Sequence, residues 1–131
     1  MKNLHLVLSS VIVIPAALLY GVAPADALPL LFDFQVDSTD LNNVFRAIMG
    51  LYLGSAALWI LGIFKSGYWK AATLLNIVFM LGLAAGRLLS IALDGIPSPA
   101  YAFGWVGELV LGGFALYQLR KHPGAQPGKP G

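Results

Sequence analysis

Apolar residues run almost unbroken through four stretches, 4–22, 41–64, 71–93 and 101–119, separated by shorter polar or proline-bearing segments. At about 20 residues, each stretch is long enough to cross the hydrocarbon core of a bilayer as a helix. The pattern predicts an all-α polytopic membrane protein: four transmembrane helices in an antiparallel bundle, one transmembrane domain over residues 1–121. The first run has a second reading, because Lys2, an apolar run and then Ala25-Asp26-Ala27 resemble a secretion signal. The run is longer than the usual 7 to 15 residue apolar region of such signals, so we expect it to be kept as a helix.

Between the runs, residues 23–40 carry Pro24, Pro29 and four aspartates around an apolar patch at 28–34, and read as an irregular loop lying over the end of the bundle. Ser38, Thr39 and Asp40 then offer N-caps for the second span. Lys65-Ser66-Gly67-Tyr68-Trp69-Lys70 forms a tight turn with aromatic and basic anchors, and Asp94-Gly95-Ile96-Pro97-Ser98-Pro99 a rigid one. Pro15 predicts a kink in the first span. The tail 122–131, rich in proline and glycine, reads as disordered.

Charge sharpens this picture. Lys2, Lys65, Lys70, Arg120, Lys121 and Lys129 lie at one set of span ends, and Asp26, Asp33, Asp37, Asp40, Asp94 and Glu108 toward the other. The positive-inside rule then puts both termini in the cytoplasm. With 58% hydrophobic and 11% charged residues the chain falls outside ordinary soluble domains, which carry about 25% charged residues. The formal charge of +2 is scattered over short ends and forms no patch for nucleic acid. There is no cysteine, hence no disulfide, thiolate metal site or thiol nucleophile.

Two arginines, Arg46 and Arg87, sit inside spans at the acidic end, where a charge needs a partner or a purpose. On the third span Asn76, Arg87 and Asp94 fall on one helical stripe, with Ser90 beside it. On the fourth, Glu108 is flanked one turn away by Gly104 and Gly112, a small-residue groove expected to pack closely against another helix. Helical rise puts Arg87 and Glu108 each about 10 Å inside the acidic end, and Arg46 about 8 Å, with Asn42 and Gly50 one turn either side of it. These positions predict a neutral cluster of Arg46, Arg87, Asp94 and Glu108. It reads either as an ion-pair network that holds helices in register or as a polar pocket for a ligand or for protons.

Gly50-x-x-x-Gly54 and Gly82-x-x-x-Gly86 match the spacing that lets membrane helices approach closely. Packing within the bundle is the simpler use; a homodimer face is the sharper one. His5 and His122 are isolated and imply no metal site. Ser55, Ser66 and Ser90 have no His and carboxylate neighbours that would make a nucleophile, and no phosphate loop or cofactor motif is present.

With those residues in view, NVFRAIMGLYLG at 43–54, GRLLS at 86–90 followed by Asp94-Gly95, and GELVLG at 107–112 resemble a bacterial family of small four-helix membrane proteins, the domain of unknown function DUF4345. Its architecture is also similar to that of the DoxX-like membrane proteins. The resemblance implies four spans and attention to Arg46, Arg87, Asp94 and Glu108; it implies no activity. Together with the charge pattern it gives our reading, a multi-pass protein of a bacterial inner membrane. Three functional classes follow. The first is a non-catalytic bundle that binds a lipid-like or small amphiphilic ligand, or a partner. The second is a proton-coupled carrier, and the third is an enzyme acting on a lipophilic substrate through Glu108 and Asp94.

Overall fold

A computed structural model describes residues 1–123 and contains five α-helices: α1 (Leu4–Gly21), α2 (Pro24–Leu31), α3 (Thr39–Phe64), α4 (Trp69–Asp94) and α5 (Pro99–Lys121). Among the described residues, four helices are long and apolar enough to cross a membrane, α1, α3, α4 with the 3-10 turn Ser66–Tyr68 ahead of it, and α5. Mid-span, each turns a large apolar side chain outward: Val11 is 65% exposed, Leu51 66%, Val78 67% and Val110 63%. A soluble bundle would bury such positions, so this surface is the one that meets lipid.

Local chemistry sets the boundaries. The Ser38 hydroxyl accepts a hydrogen bond from the Leu41 amide at 3.1 Å and caps α3, with Asp40 in its first turn. Gly95 ends α4 at φ +96°, a conformation costly for a side-chain-bearing residue, and Pro99 opens α5 where its missing N–H is no loss. Segment 23–40, expected to be irregular, contains the two-turn helix α2. Pro24 stands at its first position, where proline fits, and the helix buries Leu28 completely. The expectation for residues 122–131 falls largely outside the described residues. α1 continues through Pro15.

The spans pack in the order α1, α3, α4, α5 around the bundle, most extensively α1 on α3 and α4 on α5, and only slightly α1 on α5. At the basic end the closure is tight. Gly62 leaves so little room that an added Cβ would lie 2.5 Å from the Ala72 Cβ. The Trp69 indole donates to the Lys2 carbonyl at 3.2 Å, and the Gln118 amide to the Met1 carbonyl at 2.8 Å, so the start of α1 is fastened to the other helices there. Lys2 over Trp69 and Lys121 over Tyr117 add cation–π contacts at 5.5 and 5.6 Å. At the acidic end the helices are held mainly by rings. Phe32, just after α2, stacks on Tyr101 of α5 with centroids 4.0 Å apart, and Tyr20 stacks between Phe32 and Phe45.

Candidate functional site: a charged pair between two lateral clefts

Arg87 and Glu108 meet as the matched depths of their helices predict. The Arg87 Nε donates to both oxygens of Glu108, at 2.9 and 3.0 Å. One turn earlier on α5, the Trp105 indole donates to the Ala84 carbonyl of α4 at 3.1 Å, so two polar links fix the register of these helices. The guanidinium lies over the Tyr101 ring, 5.0 Å from its centroid, a ring that is itself stacked on Phe32. The carboxylate engages only Nε, so the forked Nη donors are left to face away from Glu108, with the Tyr20 hydroxyl beside the guanidinium, and a guanidinium has five N–H donors to place.

Those donors stand between two cavities. One, of 530 Å³, lies between α3 and α4 and is lined by Phe45, Ile48, Tyr52, Gly82, Gly86 and Ser90. The other, of 460 Å³, lies between α1, α4 and α5, lined by Val13, Ala16, Gly104, Gly107, Glu108 and Leu111 among others. Tyr20, Tyr52, Leu83, Arg87 and Tyr101 border both and form the partition. Exposed residues on the rims, Gly82 and Gly86 on one side and Ile12 and Phe103 on the other, make both cavities lateral clefts that open on the lipid-facing surface. Mostly apolar walls with a few convergent polar groups are the ordinary make-up of a small-molecule site, and both volumes are in the usual range of roughly 300 to 1,000 Å³.

The other residues of the predicted cluster are placed elsewhere. Arg46 is exposed and donates through Nη1 to the carbonyls of Gly21, at 2.8 Å, and Val22, at 3.5 Å. It thereby serves the acceptors left over at the C-terminus of α1, where the helix dipole also favours a cation. Asp94 is exposed at the end of α4 and accepts from the Ser90 hydroxyl at 3.1 Å, so the two carboxylates have separate partners. Asn42 donates to the Ser38 carbonyl at 3.0 Å and supports the cap of α3. Asn76 is fully buried in the other half of the bundle.

The glycines also divide. Of the six expected to pack helices, Gly112 alone does so, where an added Cβ would collide with Leu81. Gly50, Gly54, Gly82, Gly86 and Gly104 have open space over their Cα atoms. Gly82 and Gly86 border one cleft and Gly104 the other, so the missing side chains make cavity instead of contact. Close packing falls to two glycines outside the motifs, Gly21 against Met49 and Gly62 against Ala72. Of the partition residues, the sequence does not mark Tyr20 and Tyr52 as site residues, and it marks Tyr101 only as an aromatic at the depth of the interfacial belt. Tyr20 and Tyr101 lie at the acidic ends of their spans, where interfacial aromatics are common and so unspecific, and Tyr52 stands in the middle of α3 with no such signal.

No curated protein and no solved structure matches the chain. A family model does, the one described as domain of unknown function (DUF4345), over residues 1–119, and the chain belongs to that family.

Proposed function

From this family membership and geometry we infer that the protein is a non-catalytic, multi-pass protein of a bacterial inner membrane, with its acidic end periplasmic. Its clefts take up an amphiphile from the surrounding lipid. The observation that carries the reading is the Arg87 guanidinium, with Nη donors that Glu108 does not take up, standing between two apolar clefts. Glu108 already balances the arginine's charge, so a ligand with a net negative charge would leave the low-dielectric site with an excess of one. The fitting head is a neutral acceptor, such as the carbonyl of an ester or a quinone, with its apolar body in a cleft. The catalytic alternative would draw on Glu108 and Asp94 together, and their separate partners give it no support.

The test uses photoactivatable probes of equal chain length: a fatty acyl methyl ester, the free acid and the hydrocarbon. A hydrogen bond to a charged donor contributes about 1.5 kcal/mol or more, so the ester should label cleft peptides roughly tenfold better than the hydrocarbon. Arg87→Gln should remove that preference. Gly86→Leu and Gly104→Leu should block labelling of their own clefts while the helices remain folded, since leucine is the better helix former. Equal labelling by ester and hydrocarbon would refute the reading, and stronger labelling by the acid would overturn the neutral head.

A further inference from the structure

The basic half of the bundle buries a set of polar side chains unrelated to the clefts. His5 Nε2 and Thr73 Oγ1 hydrogen-bond at 2.9 Å between α1 and α4, and both residues are fully buried. Gly62 marks the same layer on α3, since a Cβ there would lie 3.4 Å from Leu6 and 2.5 Å from Ala72. One turn deeper, His5 and Leu6 lead to Ser9 and Ser10, Gly62 to Trp59, and Thr73 to Asn76. Helical rise therefore places these four in one layer, about 5 Å further from the basic end. Ser9, Trp59 and Asn76 are 0% exposed and Ser10 6%. In this layer Ser9 Oγ, Ser10 Oγ, Trp59 Nε1, Asn76 Nδ2 and Asn76 Oδ1 all have no hydrogen-bond partner among the described residues, and His5 Nδ1 below is in the same position.

Inside a bilayer a polar atom has no bulk water to turn to, so a layer of such atoms from three helices is expensive unless something satisfies it. The donor and acceptor mix identifies what does. Trp59 only donates, Asn76 donates and accepts, and the two hydroxyls do either. A cation would face the two N–H groups and an anion the amide oxygen, whereas water serves both kinds. We propose that Ser9, Ser10, Trp59 and Asn76 form an internal hydration site, holding about two water molecules at about three hydrogen bonds each. The site stands apart from the clefts, whose linings include none of these four residues.

Radiolytic hydroxyl-radical labelling of the full chain in nanodiscs tests this, because radicals form on bound water and oxidise the side chains beside it. Trp59, although fully buried, should be oxidised to a measurable extent, and several-fold less in Asn76→Leu and in Ser9→Ala. The exposed Tyr68 should be oxidised equally in all samples. Should Asn76→Leu fail to fold, as judged by its melting curve, Ser9→Ala decides. Absence of Trp59 oxidation in a sample whose Tyr68 is oxidised would overturn the site. So would equal oxidation of Trp59 in the folded variants, because water would then reach it without this layer.

Discussion

Removing one member of the Arg87 and Glu108 pair is the most direct perturbation of the site, and its cost follows from the geometry. The two side chains are 23% and 12% exposed, and that exposure is toward clefts that open on lipid, where water screens little. The pair therefore belongs with buried ion pairs, for which deleting one partner costs about 3 to 5 kcal/mol, and not with surface pairs worth about 1 or less. The two deletions are not equivalent. A stranded carboxylate can shed its charge by taking a proton, but a stranded guanidinium cannot, so Glu108→Ala should cost more than Arg87→Ala. In the double variant neither charge remains, and a coupling of about 2 to 3 kcal/mol should appear. Thermal unfolding in a mild detergent reads these effects. At about 4 °C per kcal/mol for a chain of this size, Glu108→Ala should melt roughly 12 °C or more below the parent, with the double variant well above the sum of the singles. Arg87→Lys should recover most of the stability, since an ammonium can meet the carboxylate, but not the ester preference, since the forked Nη donors are gone. Additivity within about 0.5 kcal/mol would refute the reasoning, because it would mean the 2.9 Å contact does not hold the helices.

Two further outcomes are expected. Gly62→Ala must push against Ala72 and the Tyr68 carbonyl and should destabilise by about 1 to 3 kcal/mol, whereas Gly50→Ala and Gly54→Ala, with open space, should be neutral or slightly stabilising in the same melts; the reverse order would show that the motif glycines carry the packing. Single cysteines introduced at Ser66 and Ser98 should react with membrane-impermeant reagents from the cytoplasmic and the periplasmic side respectively, and labelling of Ser66 from the periplasm would invert the assigned orientation.

The spans were legible because an apolar run of some 20 residues admits little else, and the Arg87/Glu108 pair because α4 and α5 are joined by a short turn, so equal depth means proximity. Arg46 shows the limit of that reasoning. Depth along a helix is one coordinate, and rotation about the axis is another that spacing alone does not supply; Arg46 points to the end of α1, not toward Arg87. Asp94 shares the stripe of Arg87 but stands at the terminus of α4, where a side chain is exposed and meets its own hydroxyl one turn back. The glycine motifs misled for a related reason. A glycine every fourth residue makes a groove, and whether a neighbouring helix fills it or leaves a cleft depends on the neighbour. α2 escaped because its two prolines argue against a helix, although Pro24 sits at the one position where proline favours it.

The two halves of the bundle treat polarity differently, and the difference bears on the carrier reading. In the acidic half a formal ion pair stands at the partition of two clefts, and in the basic half a layer of neutral groups lies under His5. A proton passing from one to the other would travel from Asn76 to Arg87, 11 residues or about 16 Å along α4. The α4 side chains buried between them are Met80 and Ala84, with Val13 and Leu111 buried on the neighbouring helices, while α3 buries the hydroxyl-bearing Ser55 and Tyr52 in the same interval. The four apolar side chains can neither give nor take a proton, which leaves the Ser55 and Tyr52 hydroxyls of a single helix as the buried polar groups of the interval. A relay across that layer would need water to join those two hydroxyls to Asn76 and to Arg87, or a rearrangement that brings the groups together. The uptake proposed for the clefts needs neither, since a ligand would arrive sideways from the lipid and stay at one depth. The acidic half can therefore be occupied without disturbing the glycine, alanine and indole contacts that close the basic end.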